Sequence, residues 1–222
     1  MFALPHAGDV YNLASGPDGA LWFCEYANNL IGRITPSGVI TEFALPTPES
    51  RPQFITSGPD GALWFTESAA NKIGRMNLSG HVSEFAVPTA ASAPGGITHG
   101  LDGNLWFTEM AGDKIGRISP AGSFAEFAIP TPQSVPFAIA AAPNGDIWFT
   151  EFDASANKLG RLTPKGALTE YALLTVGGYP SGSHPSGSHP SGGNPSGIVV
   201  TPDGSVWFCE NSGGYIGRLT PP

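Results

Sequence analysis

Five glutamates recur at one place in a repeated pattern: Glu25, Glu67, Glu109, Glu151 and Glu210 each close a Trp-Phe-Cys-Glu or Trp-Phe-Thr-Glu segment. Carboxylates in such a set suit two kinds of chemistry, holding a hard cation through oxygen and carrying protons as general acid or base. They also suit a structural role. If the segment turns back as a hairpin, Glu67 faces Lys72, Glu109 faces Lys114 and Glu151 faces Lys158. Opposite charges across paired strands contribute about 0.2–1 kcal/mol. Two glutamates lack that lysine, because Leu30 stands opposite Glu25 and Tyr215 opposite Glu210. The same two repeats carry Cys24 and Cys209 where the others have threonine. Glu25 and Glu210 are therefore the candidate metal ligands of the set, and the three lysine-faced glutamates are expected to be structural.

The elements that position these residues follow from the period. Asp18-Gly19-Ala20-Leu21-Trp22-Phe23-Cys24-Glu25 returns with its glutamate at positions 67, 109, 151 and 210, each time followed by Ile-Gly-Arg or Leu-Gly-Arg. The first three spacings are about 42 residues, which is the length of a propeller blade. One unit reads as four strands. Phe54-Ile55-Thr56 enters an Asp-Gly turn, Ala62–Glu67 and Ile73–Met76 follow, and Ser83–Val87 ends at a proline that blocks further pairing. The Trp-Phe strand is apolar on both faces, so both faces need cover, which stacked blades supply. Trp22, Trp64, Trp106, Trp148 and Trp207 would then face arginines across the ladder.

The expected fold is an all-β, five-bladed β-propeller of four-stranded antiparallel blades. It occupies 1–222 as a single domain, with repeats starting near 16, 58, 100, 142 and 201. Phe2-Ala3-Leu4-Pro5 matches the fourth-strand segment Phe43–Pro46, and the last repeat stops after its third strand. The N-terminal strand is accordingly expected to complete the C-terminal blade and close the ring, giving a monomer with only short edges. A Pro/Ser/Gly/His loop, 177–197, interrupts the last repeat.

Composition narrows the function. Glycine (30) and proline (22) punctuate a chain in which only 13% of residues are charged, against about 25% in ordinary globular proteins. A net charge of −8 gives no basic stripe for nucleic acid. No apolar run approaches the roughly 20 residues that span a bilayer, so no membrane partner is expected. Residues 1–6 do not read as a secretory leader. The chain reads as soluble, cytoplasmic or secreted after removal of a leader. The two cysteines sit at equivalent places in different repeats, too far apart for a disulfide.

The units Asp-Gly-x-Leu-Trp-Phe-Thr-Glu, Asn-Lys-Ile-Gly-Arg-Ile and Glu-Phe-x-x-Pro-Thr-Pro resemble those of the streptogramin B lyases, virginiamycin B lyase and its relatives. The resemblance covers nearly all of the chain outside the loop 177–197. It implies a bacterial-like protein and a fold that has seven blades in those enzymes. It also implies magnesium-assisted β-elimination at an ester of a cyclic depsipeptide antibiotic. Magnesium would be held by glutamates of the second strands, and a histidine in a Pro-His-Gly-Ile segment would be the base. The slot for that histidine holds Tyr11, Gln53, Gly95, Phe137 and Ser196 in the five repeats.

The functional expectation is a lyase-like propeller serving as a ligand-binding or scaffold module without the family's catalytic histidine. A small molecule or peptide would sit at the central opening, against Glu25, Glu210, Tyr11, Gln53, Phe137 and Ser196. The alternative is a magnesium-dependent lyase whose base comes from His184, His189 or Tyr11. A further alternative is a multivalent sugar-binding propeller, which would need similar pockets in every blade.

Overall fold

The computed structural model describes residues 2–5, 9–153, 156–173, 194–211 and 215–220. Among them the regular structure is all strand. The first sheet holds β1 (Val10–Ser15), β2 (Leu21–Glu25), β3 (Leu30–Ile34) and β4 (Ile40–Ala44). The second holds β5 (Pro52–Ser57), β6 (Leu63–Glu67), β7 (Lys72–Met76) and β8 (Val82–Ala86). β9 (Pro94–His99), β10 (Leu105–Glu109), β11 (Lys114–Ile118) and β12 (Phe124–Ala128) form the third. β13 (Pro136–Ala141), β14 (Ile147–Glu151), β15 (Lys158–Leu162) and β16 (Leu168–Ala172) form the fourth. The last contains β17 (Pro195–Val200), β18 (Val206–Glu210) and β19 (Tyr215–Leu219). Every sheet is an antiparallel meander in chain order.

An arginine lies over the repeated tryptophan in every sheet. In the second, Gly61 turns with φ +71°, a conformation glycine adopts without steric cost. Asp60 beside it accepts a hydrogen bond from Trp64 Nε1 at 3.0 Å and one from Arg75 Nε at 2.6 Å. Arg75 faces Trp64 in the ladder and lies 5.9 Å over its ring. Asn71, in the tight turn before β7, takes φ +56°, which a short amide side chain tolerates. Its Oδ1 accepts from the backbone and hydroxyl of Ser92. Asn29 and Asp113 accept from Ser50 and Ser134 in the same way, so these turns are tied to the loops that lead into the second, third and fourth sheets.

The core lies between sheets. Trp22, Cys24, Ile31 and Leu45 of the first meet Ile55, Leu63, Phe65 and Met76 of the second, and the second and third sheets repeat the arrangement. A strand apolar on both faces is covered on both faces, as its sequence requires.

Two features differ from the sequence expectation. Phe2–Pro5 is not in a strand, and β19 has no outer neighbour among the described residues. The ring closure expected there is thus not made among those residues. Instead the Phe2 ring lies against Gly38, where a Cβ would collide with it. Phe43, Phe85 and Phe127 bear in the same way on Gly80, Gly122 and Gly166 of the sheet that follows theirs. Phe2 therefore holds the place of a preceding fourth strand on the first sheet and does not reach the last. Strand packing runs β1 on β5, β5 on β9, β9 on β13 and β13 on β17, and nothing comparable joins β17 to β1. The second difference is in the interrupting loop, whose last residues Pro195–Gly197 belong to β17. His184 and His189 lie outside the described residues.

Candidate functional site

The inner strands β1, β5, β9, β13 and β17 line a shared cavity of about 600 Å³, a size that suits a small ligand. Each inner strand loses register between its first and fourth residues, as between Pro52 and Ile55. Tyr11, Gln53, Gly95, Phe137 and Ser196 all occupy the second position, inside this irregular stretch. Such irregularities re-aim side chains at sheet rims. Threonine supports the stretch, since Thr66 Oγ1 accepts from Phe54 N at 3.1 Å and Thr150 Oγ1 from Ala138 N at 3.0 Å. Thr108 instead donates across to Phe137 O at 3.0 Å. Cys24 and Cys209 replace this threonine in the first and last sheets.

Tyr11, Phe54 and Phe137 reach the cavity and form the middle of an aromatic row. Tyr26 stacks on Tyr11 with centroids 5.7 Å apart, and Tyr11 meets Phe54 edge-on at 5.5 Å. Phe54 meets Phe137 edge-on at 5.5 Å, and Phe137 meets Phe152 at 5.4 Å. Arg51 lies 5.6 Å over Tyr26 at one end. Phe54 and Phe137 touch across the third sheet because that sheet contributes Gly95 and Gly96. A Cβ on Gly96 would stand 2.6 Å from Phe137 O. Tyr11 and Phe137 were sequence candidates for this face. Phe54, Tyr26 and Phe152 were not, and the missed signal is the aromatic residue directly after Glu25 and Glu151. Gln53 is buried with its Oε1 unpaired, and Ser196 bonds Asn211 Oδ1 at 2.8 Å.

The glutamates lie at the same end of the sheets, since Glu67 pairs with Pro52, the first residue of β5. Glu25, Glu67, Glu109 and Glu151 are fully buried. Glu67 stands opposite Lys72 in the ladder, as Glu109 does opposite Lys114 and Glu151 opposite Lys158. The ammonium nevertheless goes elsewhere. Lys72 donates to Glu84 at 2.6 Å and to Thr47 of the neighbouring sheet's loop at 2.6 Å. Lys114 binds Glu126 and Thr89, and Lys158 binds Glu170 and Thr131. The expected ion pairs are replaced by clamps between sheets, because the outward carboxylate is the better solvated partner for a half-exposed lysine.

Left inside, three of the glutamates lose solvation, which favours their neutral form. Burial pushes Glu67 up to about 8, the nearby Glu84 adds to the rise, and Lys72 opposes it. Burial likewise takes Glu109 to about 7 and Glu151 to about 8. Against the upward push of partial burial, the bonds from Lys72 and Thr47 hold Glu84 below the ordinary carboxylate range.

A magnesium site does not assemble from these residues. Among the described residues no three His, Cys, Asp or Glu side chains converge to hold a metal. Glu25 is buried with Oε2 accepting from Asn28 at 2.9 Å. Glu210 belongs to the last sheet, and among the described residues its strands make no packing on the first sheet comparable to that between successive sheets. Nor is any described helix long and apolar enough to cross a membrane.

Repeated four-stranded antiparallel sheets packed in series around one cavity define a propeller-type repeat protein. The chain belongs to the virginiamycin B lyase family, whose model matches residues 1–189. Over 47 residues it is 47% identical to virginiamycin B lyase of Bordetella parapertussis, a match spanning 21% of this chain and 16% of that protein. The virginiamycin B lyase of Staphylococcus aureus superposes with a TM-score of 0.89 at 43% identity, over 100% of this chain and 69% of that one. A catalytically inactive variant of the same lyase, solved with quinupristin, superposes with a TM-score of 0.88 over 99% and 69%.

Proposed function

We propose that the five sheets are blades of a lyase-like propeller that binds a small molecule or peptide at its central opening, on the aromatic row, without opening it chemically. The observation that carries this reading is the row Tyr11–Phe54–Phe137 on the cavity wall. Aromatic faces and edges attract apolar and aromatic groups of a ligand at little conformational cost. The glutamates support the same reading, because Glu25, Glu67, Glu109 and Glu151 are fully buried and do not line the cavity. The differing inner-strand residues argue against five equivalent sugar pockets.

Membership in the lyase family favours the second reading, a magnesium-dependent lyase acting on a cyclic depsipeptide ester. Quinupristin separates the two, since the related lyase was solved with it. The chain is incubated with quinupristin and magnesium, with and without chelator, and the products are resolved by chromatography and mass. The binding reading expects unchanged quinupristin that quenches tyrosine emission at saturating ligand, an effect lost in Tyr11→Ala. A ring-opened isomer of equal mass, absent with chelator, overturns it in favour of the lyase.

A further inference from the structure

The repeat makes each junction between sheets a control for the others, and the first junction departs from the rest at the head of the aromatic row. There the residue after the repeated glutamate is Tyr26, and the residue before the next inner strand is Arg51. The same two places hold Ser68 with Ala93 at the second junction and Met110 with Val135 at the third. Arg51 lies with its guanidinium carbon 5.6 Å from the centre of the Tyr26 ring, and Tyr26 stacks on Tyr11 of the cavity wall.

Arg51 also stands apart among the cations. Eight of the ten lysines and arginines lie no more than 3.9 Å from a carboxylate oxygen. Arg51 and Lys165 have no such partner among the described residues, and Lys165 sits in the turn after β15, at the opposite end of the sheets. The backbone around Arg51 is held from both sides. Asn29 Oδ1 accepts from Ser50 N at 2.7 Å and from its hydroxyl at 2.8 Å. Arg51 O accepts from Ser68 N at 3.2 Å and from the Ser68 hydroxyl at 3.1 Å. At Ala93 O and Val135 O the matching donors are the backbone of Met110 and of Phe152, which bring no hydroxyl. A cation fixed at its root and resting on a ring loses little freedom on binding, and a guanidinium matches a carboxylate through paired N–H donors.

We propose that the row takes ligands that join an aromatic group to a carboxylate, the ring lying against Tyr11 and Phe54 and the carboxylate on Arg51. The ligand class rests on the binding reading above and covers aromatic acids both free and as the last residue of a peptide. The chain as a whole carries −8, so a preference for an anion points to a local cation and not to the overall field.

The probes are N-acetyl-Phe-Phe and 2-naphthoate, each beside its neutral amide, titrated calorimetrically into the full chain at pH 7 and low salt. At least one acid is expected to bind about three- to fivefold more tightly than its amide, the size of one partly exposed charge contact. Which acid shows the preference separates a peptide terminus from a free acid. Arg51→Ala, a residue the repeat already accepts at Ala93, is expected to erase the preference, and Lys165→Ala to leave it. The ratio of acid to amide is the readout, because lost packing on Tyr26 weakens both alike. Acids and amides that bind equally, with binding lost in Phe54→Ala, overturn the ligand class and leave the row as the binding surface. A preference that survives Arg51→Ala overturns the class as well. No binding of any probe by a chain that still binds quinupristin overturns the class alone, and failure to bind quinupristin too overturns the binding reading with it.

Discussion

The second and the fifth sheets are built from nearly the same residues and have different surroundings. In the second, Trp64, Ile73 and Thr66 lie between two neighbours and have no exposed surface. In the fifth, Trp207, Ile216 and Cys209 hold the same positions in the ladder, facing Arg218, Cys209 and Ile216 respectively, with nothing packed beyond them among the described residues. The ring contact survives the change, since Arg218 lies 5.4 Å over Trp207 much as Arg75 lies over Trp64, but Arg218 hydrogen-bonds Ser205 where Arg75 bonds Asp60. Strand pairing in this repeat is thus a property of the sheet, whereas burial is a property of the series. That division is general for repeat proteins, whose stability is a sum of unit and nearest-neighbour terms.

The largest test of this contrast uses the tryptophans. Trp64→Ala is expected to cost about 3–5 kcal/mol, the range for a buried aromatic removed from a core. Trp207→Ala, half-buried at the open face, is expected to cost less than half of that, both read from urea unfolding midpoints and slopes. Equal costs would mean that the last sheet is covered in solution.

A smaller effect concerns pH. Glu67, Glu109 and Glu151 have pKa values raised in the fold, to about 8, 7 and 8, so the unfolded chain binds fewer protons between the two sets of values. Their contribution to stability is therefore greatest below the unfolded carboxylate pKa of about 4.3, declines as pH rises, and levels off above about 8. Glu84, Glu126 and Glu170 are held low, and their contribution disappears as pH falls below that same unfolded value. Stability should peak in mildly acid solution. Glu67→Gln should raise the urea midpoint at pH 8 and leave it nearly unchanged at pH 5, and an identical shift at both would remove proton linkage from the account. Smallest of all, Ile216→Ala should shift stability by no more than about 0.5 kcal/mol, the usual size for an exposed position.

The order of strands, the Asp-Gly turns and the Trp–Arg pairing were legible in the sequence, because each rests on contacts within one repeat. The lysine clamp was not. Cross-strand spacing put Lys72 opposite Glu67 correctly, but the ammonium chose between two carboxylates by solvation, and one contributing hydroxyl, on Thr47, comes from a different sheet. Phe54 escaped for a related reason. Its neighbour Phe137 is two sheets away, and the contact exists only because Gly95 and Gly96 leave the space between them. Closure through Phe2–Pro5 looked complete in a count of strands, and a count carries no information about curvature.

Cys24 and Cys209 put the contrast between sealed and open sheets in one chain, at one position of the repeat. Burial pushes the Cys24 thiol far up and removes it from solvent, so it should alkylate only when the fold opens locally. Cys209 is exposed. The decisive measurement is residue-resolved alkylation of the native chain followed by mass spectrometry. Rapid labelling of Cys209 with Cys24 untouched until denaturant is added is the result expected. Equal labelling of the two, or protection of Cys209, would contradict a series of sheets sealed within and open at its ends.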